Sequence, residues 1–107
     1  MPDFDQFFRE LNDGARDIAM REASGFVKEA TDDSNDFLEA IKGDLEIWAK
    51  QVANGTLSVQ DFEFLVRGKK DFAQMKALTR AGLAAVRIDR IRTAMIDLLI
   101  SAAGKLV

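Results

Sequence analysis

Ala94-Met95-Ile96-Asp97-Leu98-Leu99-Ile100-Ser101-Ala102-Ala103 carries only two polar side chains, Asp97 and Ser101. Wound into a helix, such a run is apolar on nearly every side, and a helix apolar all round has to be buried all round. Its cover must come from the chain's own fold, from a second chain or from lipid. No proline interrupts residues 71–107, and the segment reads as one helix over about 71–105. Ala77, Ala81, Ala84, Ile88, Ile91, Met95, Leu98 and Ala102 step by four and three along one seam. Phe72, Met75, Leu83 and Val86, with Gly82 among them, form a second stripe rotated away from the first. Two stripes call for two neighbours, which makes this the central helix of a bundle.

The elements upstream read as its neighbours. In Leu57-Ser58-Val59-Gln60-Asp61-Phe62, Ser58 is placed to cap a helix, and Asp61 stands where a capping box has glutamate. Leu57 and Phe62 occupy the two positions of a hydrophobic staple, so a helix is expected from Val59. Gly68 ends it, giving 59–67, and Asp71 with Gln74 caps the last helix anew. Before it, Leu38, Ile41, Leu45, Trp48 and Val52 form a heptad seam opposite the charged row Glu39, Lys42, Glu46 and Lys50. This predicts a helix over 35–54, closed by Asn54-Gly55.

The first helix is expected over 4–30. Asp3 caps it with Gln6, and Phe4, Phe8, Leu11, Ala15 and Ile18 keep helical phase, continued by Ala19, Ala23, Phe26 and Ala30. Asn12-Asp13-Gly14 is a turn signal, but the phase runs through it unbroken. Thr31-Asp32-Asp33-Ser34-Asn35-Asp36 reads as the connection to the second helix. Asp32, Ser34 and Asp36 have the spacing of a calcium loop, yet Phe37 and Gly43 stand where that loop needs glycine and glutamate. The fold expected is an all-α bundle of three long helices plus one short helix, in a single domain.

Composition narrows the function classes. The sequence has no cysteine, histidine or tyrosine. It therefore lacks thiolate ligands, the commonest metal ligand and the commonest general base. Its seven glycines are scattered singly and form no phosphate-binding loop. No enzyme activity, cofactor or metal is expected. Residues 1–54 hold 13 acids and 6 bases, and residues 55–107 hold 5 acids and 9 bases. The basic residues of the second half are interleaved with Asp71 and Asp89. They read as partners for the acidic first half, so no nucleic-acid binding is expected. The acidic start lacks the bases of a secretion signal, and no apolar run approaches the ~20 residues of a membrane span. A cytoplasmic location is the expectation.

Length supplies the functional expectation. A last helix of about 35 residues would run ~50 Å, against ~40 Å and ~30 Å for the first two. Its apolar end would overhang, and a second copy of the chain is the simplest cover. The sequence therefore predicts a non-enzymatic assembly protein, a homo-oligomer and most simply a dimer. Ile91, Met95, Ile96, Leu98, Leu99, Ile100 and Ala102 are the expected contact residues. The alternatives are a peripheral membrane protein inserting the same apolar end, and a carboxylate-based metal-binding protein or enzyme.

Overall fold

The computed structural model describes residues 4–70 and 73–106. Its regular elements are helices: α1 Phe4–Glu22, α2 Val27–Ala40, α3 Lys42–Ala53, α4 Val59–Arg67, α5 Lys76–Ala81 and α6 Ala85–Gly104. The protein is all-α, as expected, but among the described residues six helices replace the three long and one short. Asp3, Asp71 and Phe72 lie outside the described residues, so the two caps and the stripe position expected there do too.

α1 and α6 form the centre of the fold and run antiparallel. Arg87, near the start of α6, bonds Glu22 at the end of α1. Gly14 meets Leu98 in the middle. Gln6 and Phe7 share a groove with Lys105 and Leu106 at the other end. The two helices have 19 and 20 residues, ~30 Å each, and so match along their whole length. α4 packs on a second side of α6, while α2 packs on α1 and on α5. One contiguous core joins Leu11, Ile18, Leu38, Leu45, Phe62, Val66, Leu78, Ile91, Met95 and Leu99.

Gly14 does not break α1. A β-carbon there would lie 2.6 Å from Leu98 Cδ1, so the missing side chain is the space that Leu98 fills. The turn chemistry of Asn12-Asp13-Gly14 loses to this packing. The break falls instead at residues 23–26, where Gly25 takes a φ of +88° that residues with a β-carbon rarely adopt. Ala19, Ala23 and Ala30 are all fully buried, because α2 folds back along α1 after the reversal. The apolar phase thus continues through a turn, and periodicity alone reads it as one helix.

The expected connection at residues 31–36 is the middle of α2. Asp33 does act as a capping residue, but for a helix far away in sequence: its Oδ1 accepts from Ala77 N–H at 2.9 Å and its Oδ2 from Leu78 N–H at 2.8 Å. These amides open α5, where no intrahelical acceptor exists. The helix expected over 35–54 is the end of α2 followed by α3, bent at the buried Ile41 (φ −107°, ψ 8°). Its seam packs as expected: Leu38, Ile41, Leu45 and Val52 are buried, and half-buried Trp48 meets Phe62 edge-on at 6.3 Å between ring centroids. Gly55, at φ +82°, lies just beyond the end of α3.

α4 begins and ends where its sequence signals lie. Ser58 Oγ accepts from Asp61 N–H at 3.0 Å, and Phe62 and Val66 are fully buried. The expected single helix over 71–105, however, is cut twice. Gly82 has φ +89°, Leu83 N–H donates to Leu78 C=O at 3.1 Å, and Gly82 N–H donates to Thr79 C=O at 3.2 Å. Those two bonds are the Schellman arrangement that ends a helix at a left-handed glycine. Upstream, Met75 itself takes φ 54°, a left-handed conformation unfavourable for a residue with a β-carbon. Two charged side chains hold it there. Arg92 donates to the carbonyls of Ala73 and Gln74 on one side, and Asp33 receives the amides of Ala77 and Leu78 on the other.

Candidate functional site

The apolar end of α6 is covered by its own chain. Ile91, Met95 and Leu99 are fully buried, Ile96 is 2% exposed and Ala102 is 8% exposed. Leu98 and Ile100 are half-buried and pack against the same core. These seven are the residues expected to contact a second copy, and five of them are enclosed within a single chain. The physical reason is the pair of breaks at Met75 and Gly82. They shorten the helix until α1 matches it in length, and no overhang remains. The same enclosure leaves these five side chains with no surface to offer lipid. No helix among the described residues is long and apolar enough to cross a membrane.

On its opposite side α6 leaves in solvent a row made of Val86, Arg90, Thr93, Asp97 and Ser101, and Ala85, Asp89 and Gly104 are exposed as well. Successive members of the row lie three or four residues apart, so they stack along one line of the helix. Val86, assigned by sequence to a buried stripe, is 69% exposed. The break at Gly82 removes Val86 from the phase of Met75 and Leu83, both of which are buried.

Two shallow grooves adjoin along this row. The first, about 560 Å³, is lined by Glu22, Ala85, Val86, Asp89, Arg90, Thr93, Ala94 and Asp97. The second, about 470 Å³, lies between the two central helices, lined by Gly14, Asp17, Ile18 and Arg21 of α1 and by Ala94, Asp97, Leu98 and Ser101 of α6. Ala94 and Asp97 belong to both, so the grooves form one continuous surface. Ala85, Thr93, Ala94 and Ser101 are its small side chains, Ile18, Val86 and Leu98 its larger apolar ones, and Asp17, Arg21, Glu22, Asp89, Arg90 and Asp97 carry its charges.

Of the charges on this surface, only Asp89 is ion-paired among the described residues. Asp89 lies 3.6 Å from Lys70 Nζ and 3.7 Å from Arg92 Nη1. Arg87 Nη2 donates to the Glu22 carbonyl at 3.1 Å, a cation on the unpaired end of α1. Arg90 and Asp97 make no ion pair or hydrogen bond among the described residues. They stand seven residues apart on the same line, about 10 Å along the axis and too far to pair with each other.

The basic second half pairs with the acidic first half only in part. Lys69 reaches Asp44 at 2.9 Å, whereas Arg67 pairs with Glu63, and Lys70 and Arg92 with Asp89, all within the second half. The calcium-like spacing also dissolves in the fold: Asp32 and Asp36 are exposed on α2 while Ser34 is buried. Among the described residues no three acidic side chains come together as a metal site. Sequence reasoning named α6 but chose its inner side. The outer row had a signal of its own, since Arg90 and Asp97 share a heptad position in line with the polar Thr93 and Ser101. No protein-family model matches this chain, and comparison with curated proteins and with solved structures likewise finds no match.

Proposed function

We propose that the protein is a non-enzymatic interaction and assembly protein that associates with a second copy of itself through its C-terminal helix. The contact is the outer row of α6 and not the expected cluster around Ile91 and Met95, which the fold has already used. One observation supports this reading above the others. Val86 stands 69% exposed on a continuous pair of open grooves lined on α6 by the small side chains Ala85, Thr93 and Ala94. Small residues let a partner's ridge of side chains seat close to the backbone, and covering Val86 removes apolar surface from water. Symmetric pairing of identical chains is also the commonest form of oligomer. A contact built from one ~30 Å helix and its flank lies at the low end of specific interfaces, so weak association is expected.

The test is solution mass by sedimentation equilibrium from about 10 µM to about 1 mM, for the native chain and for Val86→Glu. A concentration-dependent dimer that the substitution weakens supports the reading. A native chain that stays monomeric to the top of that range overturns it.

A further inference from the structure

Resting on that reading, we infer that the two copies pair their α6 helices antiparallel about a twofold axis between Thr93 and Ala94, with Arg90 of each copy against Asp97 of the other. The outer row of α6 carries two charges, with Asp89 exposed beside it. Arg90 and Asp97 are both exposed, both lack a partner among the described residues, and lie on opposite sides of the small pair Thr93 and Ala94. A twofold axis at that midpoint brings position 90 opposite position 97 and position 86 opposite position 101. Two Arg–Asp pairs then form by symmetry, and Val86 meets Ser101. A parallel pairing places Arg90 against Arg90 and Asp97 against Asp97, which like-charge repulsion disfavours.

The rest of the face is compatible with this register. Asp89, the nearest other acid on α6, is already balanced by Lys70 and Arg92 within its own chain. On the α1 rim, Asp17 and Arg21 line the second groove with opposite signs and add little net charge to it. The Glu22 carboxylate on the rim of the first groove is a further acid without a partner among the described residues, so it is within α6 itself that charge complementarity rests on Arg90 and Asp97, and there it is self-complementary only in the antiparallel sense. Because the pairs sit near the surface, added salt weakens them.

Sedimentation equilibrium on Arg90→Asp, Asp97→Arg, their equimolar mixture and the double variant tests the register. Both sites are exposed, and unchanged thermal unfolding confirms that each variant keeps its fold. Each single reversal is expected to weaken self-association at least about tenfold, because two attractions become two repulsions. The mixture and the double variant restore dimers to within about threefold of the native chain, since opposite charges again face each other. If the native chain dimerises but the single reversals change its affinity less than about twofold, the register is wrong while the assembly reading stands. If the native chain remains monomeric, both fail.

Discussion

The α1–α6 pair and the segment from Ala73 to Ala84 are held in place by different forces. Between α1 and α6 the contact is almost wholly apolar, with Phe7, Leu11, Ala15 and Ile18 buried on one helix and Ile91, Met95, Ile96 and Leu99 on the other. Arg87 on the Glu22 carbonyl is a polar tie at one end of it. The later segment contributes the apolar anchors Ala73, Met75, Leu78 and Leu83, but its path is set by charged side chains gripping backbone. Apolar burial is non-directional and tolerates some sliding. A carboxylate receiving two amides fixes the position of those amides closely. A long matched pair of helices can rely on the first, whereas a six-residue helix entered through a left-handed methionine needs the second.

Substitutions that attack one mechanism at a time sharpen this contrast. Leu11→Ala removes a fully buried side chain from the apolar pair and is expected to cost about 3–4 kcal/mol in denaturant unfolding, because the helices cannot close the cavity completely. Asp33→Ala leaves the amides of Ala77 and Leu78 without their acceptor in a site where Asp33 is only 6% exposed. A loss of about 2–3 kcal/mol is expected, with accelerated hydrogen exchange confined to the start of α5. Asp33→Asn should recover only part of it, since an amide offers one acceptor where the carboxylate offers two. If Asp33→Ala instead softened the whole protein evenly, the local clamp would not be the role of that carboxylate.

Smaller effects follow from the helix ends and the helix crossing. Ser58→Ala removes the acceptor for Asp61 N–H and is expected to cost about 1 kcal/mol. Gly14→Ala gains about 1 kcal/mol of helix propensity but pushes against Leu98 Cδ1, so the two terms nearly cancel. Combined with Leu98→Ala, the same change should become favourable relative to Leu98→Ala alone, because the obstructing methyl is gone. A double-mutant cycle showing no coupling would separate Gly14 from the packing of Leu98.

How much of this was legible in the sequence depended on whether a local signal agreed with the tertiary contacts. At Ser58 and Gly68 the two agree, and α4 spans the residues expected. Asn54-Gly55 likewise ends α3. At Gly14 and Gly25 they diverge in opposite directions: one glycine stays helical because Leu98 occupies its empty side, and the other reverses the chain while the apolar phase passes through undisturbed. Asp33 advertised its capping chemistry openly, but its target lies in α5 and no local pattern points there. The same holds for the candidate surface. The apolar inner side of α6 is conspicuous, yet that conspicuousness reflects the core, and the side left in solvent is the plainer row through Arg90 and Asp97. Gly82 was the most recoverable miss, because an alanine-rich turn followed by Gly-Leu is the usual sequence of a helix stop.

The grip of Asp33 on α5 also has a bearing on folding rates. Its two bonds span 44 and 45 positions of sequence, so they stabilise the chain only after a long loop has closed. With that closure cost to meet first, they are expected to form on the native side of the folding barrier. Asp33→Ala should therefore leave the refolding rate nearly unchanged and appear almost entirely as faster unfolding, by about 30- to 150-fold for a loss of 2–3 kcal/mol. On that account the carboxylate acts as a latch: it contributes little to how quickly the helices assemble and much to how long they stay assembled.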